Sequence, residues 1–115
     1  MKEFMFVYKS GDPNWAPPST PAEKQAVMAK WGGWLESLGK KGQLVSGGSP
    51  LEFGGKRLKK DGVVTDIAAS EFKELVSGYS IIKAESYDEA VKIARECPIF
   101  LNEGTSVEIR TVIAM

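Results

Sequence analysis

The chain has 115 residues, enough for one domain around a single core and too few for two. Its 15 lysines and arginines balance 15 aspartates and glutamates, which removes the electrostatic basis for nucleic acid or an anionic membrane as partner. One cysteine and no histidine exclude intrachain disulfides, Cys/His zinc sites and histidine triads, and a carboxylate-only metal site has no support in the pattern. No apolar run approaches membrane-spanning length, and the start MKEFMFVYK carries Glu3 and leads into a strand pattern instead of a signal peptide. A soluble protein of the cytoplasm is the expectation.

Phe4 to Tyr8 is apolar on both alternations, the pattern of a central strand covered on both faces. Lys9 to Ser19, with Gly11, three prolines and Trp15, reads as a loop, and Trp15 is a candidate either for a lid over a ligand or for a subunit interface. Thr20-Pro21-Ala22-Glu23 is a capping box with proline at the first helical position, where its missing amide costs nothing. The helix it opens carries Val27, Trp31, Trp34, Leu35 and Leu38 at helical spacing and should run to about Leu38, with Gly39 or Gly42 ending it. Gly32-Gly33 inside it reads as close packing between two tryptophans, with a functional hinge as the alternative.

Gln43 to Ser46 is a short strand, broken by Gly47-Gly48-Ser49-Pro50. No helix opens after this loop and no Gly-Lys-Ser/Thr follows, so it does not read as a phosphate cradle. Lys56–Lys60 and Val63–Asp66 flank Asp61-Gly62, a two-residue hairpin signal, and their lysines suggest an exposed ribbon at a sheet margin. Ser70 to Val76 reads as a short helix or turn. Tyr79 to Ala84 is a strand introduced by Gly78. Ser86 then caps a helix, with Glu89 expected to bond back to the Ser86 amide. Tyr87, Ala90, Val91, Ala94 and Cys97 form its apolar stripe, and Pro98 stops it. Pro98 to Gly104 reads as a loop, and Val107, Ile109, Thr111 and Ile113 alternate with polar neighbours in a last strand.

With the hairpin set aside, the order is strand, helix, strand, strand, helix, strand: an α+β, ferredoxin-like βαββαβ protomer with an extra β-hairpin. Right-handed crossovers place both helices on one face and the first and third main strands in the middle. The other face is left bare, and the simplest cover is the same face of a second copy, so a homodimer is expected. Glu108 and Arg110 would be buried charges if they pointed at the helices, so they should face the second sheet or a cavity beside it.

Nearly the whole chain resembles the YCII-related superfamily, in particular its DGPF-type branch. The resemblance rests on FMFVY, on WGGWLESLGKKGQLVSGG, on TD followed by SEFKE, on GYSIIKAESYDEAVKIARECP and on SVEIR. It implies a dimeric α+β barrel of ferredoxin-like protomers with a cleft for ligand binding or catalysis. Asp66 matches the aspartate that opens the DGPF motif, and Glu71 and Lys73-Glu74 match later positions, whereas Ile67, Ala68 and Ala69 replace Gly-Pro-Phe. The histidine that some relatives pair with an aspartate is missing, so any proton transfer would need another group.

Two readings of function follow. The first is a dimeric barrel that binds a small acid or lactone and, if catalytic, is a cofactor-free enzyme of proton-transfer or lyase type. Asp66 is its candidate general base, and Arg110, Glu108 and Tyr79 are its candidate ligand-binding residues. Each has a structural counterpart: an Asx turn for Asp66, an ion pair for Arg110 with Glu108, and a core position for Tyr79 and Tyr8, which are placed at the same cavity. Cys97 reads as an inert core thiol. The second reading is a non-catalytic oligomeric interaction or regulatory module.

Overall fold

Strict alternation in the first strand organises the molecule. In β1 (Lys2–Lys9) Phe4, Phe6 and Tyr8 are buried while Glu3, Met5, Val7 and Lys9 are only half-covered, so one face meets the core and the other does not. The computed structural model describes residues 1–11, 18–52, 54–67 and 74–115. Trp15 and most of the expected Ser70–Val76 turn lie outside them.

The elements follow as α1 (Pro21–Lys40), β2 (Leu44–Ser46), β3 (Lys56–Leu58), β4 (Val64–Asp66), β5 (Val76–Ala84), α2 (Tyr87–Arg95) and β6 (Ser106–Thr111). Four strands make one antiparallel sheet in the order β2-β5-β1-β6, with the first and third main strands central as the ferredoxin-like order requires. β3 and β4 form a separate two-stranded ribbon.

The core lies between the sheet and both helices. Phe4, Phe6 and Ile82 are fully buried, and Ala84, Trp34, Leu38, Ala90 and Ala94 close around them. Alanines from α2 and tryptophans from α1 are the core's helix-side contributions. Phe6 stacks on Trp34 at 6.4 Å, Trp34 meets Trp31 edge-on at 5.8 Å, and Trp31 meets Tyr8 at 5.5 Å. Truncating Phe6 to alanine would remove one of the two β1 rings that end this row, a loss of about 3–5 kcal/mol.

Both helix starts are capped as the sequence implies, with a change of partner in each. Thr20 Oγ1 accepts the Glu23 amide at 3.1 Å, and the Glu23 carboxylate accepts the amide of Ser19 instead of Thr20. Ser86 Oγ accepts the Glu89 amide at 3.2 Å, but the Glu89 carboxylate turns to Gln43 Nε2 at 2.9 Å and fastens α2 to the residue before β2. α1 runs two residues past Leu38 before Gly42, at φ 69°, takes the left-handed turn.

Three local expectations are corrected. Gly32 and Gly33 are exposed, and a Cβ on either would meet nothing within 4 Å, so no tryptophan packing requires them. The hairpin turns over three residues, not two: Lys59 and Val63 still bond across it, and Gly62 alone, at φ 88°, is left-handed. Pro98 does not open an irregular loop but begins a short 3-10 helix, Pro98–Leu101, whose Ile99 enters the core.

Candidate functional site

A cavity of about 530 Å³ lies where α1, the Gly47–Leu51 segment and the start of β5 meet. Met28, Trp31 and Leu35 of α1 form one wall, at the three- and four-residue spacing that puts them on one helix face. Tyr8, Ser77, Gly78 and Tyr79 come from the sheet, and Ile99 and Asn102 close one end.

The facing wall depends on two glycines. Gly48 sits at φ 70°, and a Cβ there would lie 1.7 Å from the Tyr79 carbonyl oxygen and 3.0 Å from its ring. Gly78 makes the reciprocal approach: a Cβ on it would stand 3.0 Å from the Ser49 carbonyl and 3.6 Å from the Tyr8 ring. The segment can therefore lie flat on β5, where Pro50 bridges Gly78 and the Leu51 amide donates to the Ser77 carbonyl at 2.8 Å. Ser77 is the extra residue of a bulge opposite the Tyr8–Lys9 step, and its hydroxyl bonds the Tyr8 carbonyl.

Beside the cavity, hydroxyls form a directed chain. Gly47 offers only a carbonyl, so Ser80 Oγ donates to it at 2.9 Å, and the Tyr8 hydroxyl in turn donates to Ser80 Oγ at 2.8 Å. Burial raises the Tyr8 hydroxyl well above its ordinary value of 10.0, opposed in part by the Ser80 bond, so the phenol keeps its proton at neutral pH. Burial also pushes the Cys97 thiol up to about 11, against the lowering pull of the Ile99 amide and the Tyr8 hydroxyl. A thiol so held is a packing group and not a nucleophile.

Tyr79 and Tyr8 thus border the same cavity, and Tyr79 also belongs to the bare side of the sheet, where it stands opposite Val7. Glu108 and Arg110 pair with Val7 and Met5 in the register of β6, so both lie on that bare side, away from the helices. Glu108 and the carboxylate of Glu74 each approach Lys9 Nζ at 3.5 Å, and Lys9 also donates to the Glu74 carbonyl at 2.9 Å. Asp66 stands on the ribbon, exposed and bonded to Lys56. Asp66, Glu108 and Arg110 line neither this cavity nor the second one, of about 550 Å³, between the ribbon and β5. That second cavity is bordered by Arg57, Ile67, Glu74 and Leu75, and Leu51 borders both.

Sequence reasoning gave Tyr8 and Tyr79 but missed Met28, Trp31 and the Gly47–Leu51 wall. The available signal was a glycine pair joined to Ser-Pro directly after a strand, which marks backbone lying close against something. Among the described residues no group of three or more Cys, Asp or Glu side chains is placed to hold a metal ion. No described helix is long and apolar enough to cross a membrane.

An antiparallel sheet in this strand order, backed on one face by two helices with a cavity at their edge, defines a ferredoxin-like α+β protein. The chain belongs to the YCII-related domain family, matched over residues 4–115. Among solved structures it is similar to 5-chloro-2-hydroxyhydroquinone dehydrochlorinase (TftG) from Burkholderia phenoliruptrix AC1100, in complex with 2,5-dihydroxybenzoquinone. Identity there is 20%, with 91% of this chain and 90% of that chain covered and a TM-score of 0.41. No curated protein matches the sequence.

Proposed function

We propose that this YCII-related chain, of the DGPF type, is a dimeric cytoplasmic barrel that binds a small, neutral, ring-containing molecule between Trp31 and the Gly47–Leu51 wall. The observation that carries it is the lining: aromatic and aliphatic side chains with Ser49, Ser77, Asn102 and backbone groups for orientation and, among the described residues, no charged side chain. A carboxylate would find no cation there, which favours a lactone or similar neutral carbonyl compound over the small acid expected alongside it. Binding is better supported than turnover. The Tyr8 phenol holds its proton, and Asp66, in water and bonded to Lys56, serves the ribbon better than it would serve as a base.

Coumarin, a neutral aromatic lactone, and benzoate, an acid of similar width, separate these alternatives. Coumarin at saturating concentration should raise Tm by roughly 5 °C and change tryptophan fluorescence. Trp31→Ala should lose both responses and Arg110→Ala should keep them. Preference for benzoate, lost in Arg110→Ala, would move the site to the bare face of the sheet. A chain indifferent to both would favour the interaction module.

The dimer in this reading is supported by Met5, Val7, Tyr79 and Ile81, which share the side of the sheet without helices. They form an apolar strip flanked by Lys9, Lys83, Glu108 and Arg110, the composition of an interface with a polar rim.

A further inference from the structure

We propose that Asn102 selects a cyclic amide over the ester of the same outline, so that the guest of the cavity is a neutral lactam, an inference that rests on the binding site proposed above and names its ligand class. The side-chain polar groups around that cavity are few and mostly committed. The Tyr8 hydroxyl gives its proton to Ser80 Oγ, and the Ser77 hydroxyl gives its own to the Tyr8 carbonyl. Tyr79 belongs to the bare side of the sheet, and Ser49 is exposed to water. Asn102 is different. It is half-buried at one end of the cavity, and both of its backbone groups are engaged: the amide donates to the Ile99 carbonyl at 3.0 Å, and the carbonyl accepts from Thr105 Oγ1 at 2.9 Å. Its side-chain amide has no hydrogen-bond partner among the described residues, so that amide is the polar group Asn102 brings to the cavity it borders.

Asn102 is also held in place. It ends the short 3-10 helix whose Ile99 enters the core, and Thr105 Oγ1 bonds the Ile99 carbonyl as well, at 3.0 Å. The turn that follows lies so close to Gly11 that a Cβ there would stand 1.9 Å from the Glu103 carbonyl oxygen. A backbone fixed on both sides offers its side chain with little ordering left to do on binding. A primary amide presents a donor and an acceptor side by side in one plane, and turning it over exchanges the two without losing either. Its complement is the edge of a lactam, where N–H and C=O are adjacent and two hydrogen bonds form together. A lactone supplies the acceptor alone and leaves the Asn102 oxygen unpaired in a cavity walled by Trp31, Leu35 and Ile99.

Coumarin and 2-quinolinone differ only in a ring oxygen exchanged for N–H, and calorimetric titration with each is the test. Wild type should bind 2-quinolinone at least about tenfold more tightly than coumarin. Asn102→Ala should bring the two constants together by weakening 2-quinolinone the more. Asn102→Asp, which keeps an acceptor and gives up the donor, should widen the preference, because a carboxylate still takes the ring N–H and repels the lactone oxygens. Equal constants in wild type, or a preference that survives in Asn102→Ala, overturn the role of Asn102 and leave the binding site standing. A preference lost in Asn102→Asp as it is in Asn102→Ala shows that the residue only shapes the cavity, and overturns the role too. Wild type that binds neither ring removes the site itself and this inference with it.

Discussion

Tyr8 and Cys97 are neutral groups that the fold keeps from ionising, and this gives the protein an alkaline limit. The unfolded thiol ionises around 9.0 and the unfolded phenol around 10.0, while burial raises both in the folded state. Above pH 9 the folded chain thus binds more protons than the unfolded one, and stability falls as pH rises. The Cys97 contribution is present below pH 9 and is lost progressively up to about pH 11; that of Tyr8 begins to be lost from about pH 10. Urea midpoints should therefore drop across pH 9 to 11, and Cys97→Ala should flatten that part of the profile even where it lowers stability at pH 7. Equal slopes in the two proteins would show that the thiol is not shielded as its surroundings indicate. Sequence reasoning anticipated an inert Cys97 from its place on an apolar stripe. It could not anticipate the hydroxyl chain, because Tyr8 and Ser80 are 72 residues apart and Ser80 in a strand looks like any polar interruption.

At the scale of elements, what was legible was what is local. Caps at Thr20 and Ser86 follow from residues three apart, and β1 and β5 were legible as local runs of β-formers, although β1, expected to be covered on both faces, is buried on one only and β5 starts at Val76 instead of Tyr79. What failed depended on distant neighbours: Glu89 leaves its capping box for Gln43, and Gly32-Gly33 faces open space where crowding by tryptophans was expected. The Glu89 bond gives a measurable consequence. A double-mutant cycle of Gln43→Ala and Glu89→Ala should show a coupling of about 0.5–1 kcal/mol, whereas Ser86→Ala should cost about 1 kcal/mol through the cap. A cycle that closes at zero would mean the side-chain bond contributes nothing in solution. The candidate site shows the same division. Asp66, Glu108 and Arg110 were singled out as charged residues in strands; Glu108 and Arg110 lie on the bare face, as their charge required, and Asp66 on the ribbon, and none of the three lines the cavity. The cavity is built largely from apolar residues and backbone, which carry no chemical flag in a sequence.

For the whole molecule, the strand order and the single helix-covered face followed from element order and crossover handedness, and both are as expected. The bare face makes oligomeric state the decisive measurement. Ile81→Lys places a charge at the centre of the apolar strip and should convert a sedimenting dimer to a monomer, with coumarin still bound if the cavity belongs to each subunit by itself. Loss of both together would make the cavity an assembly product. Leu51 has a separate consequence. It borders two voids of similar size, so under the proposed binding its side chain stands beside the ring on the side of the second void. Leu51→Ala should open space toward Arg57 and Glu74, which border the second void, and a coumarin extended by a charged end should then bind better to the variant than to wild type.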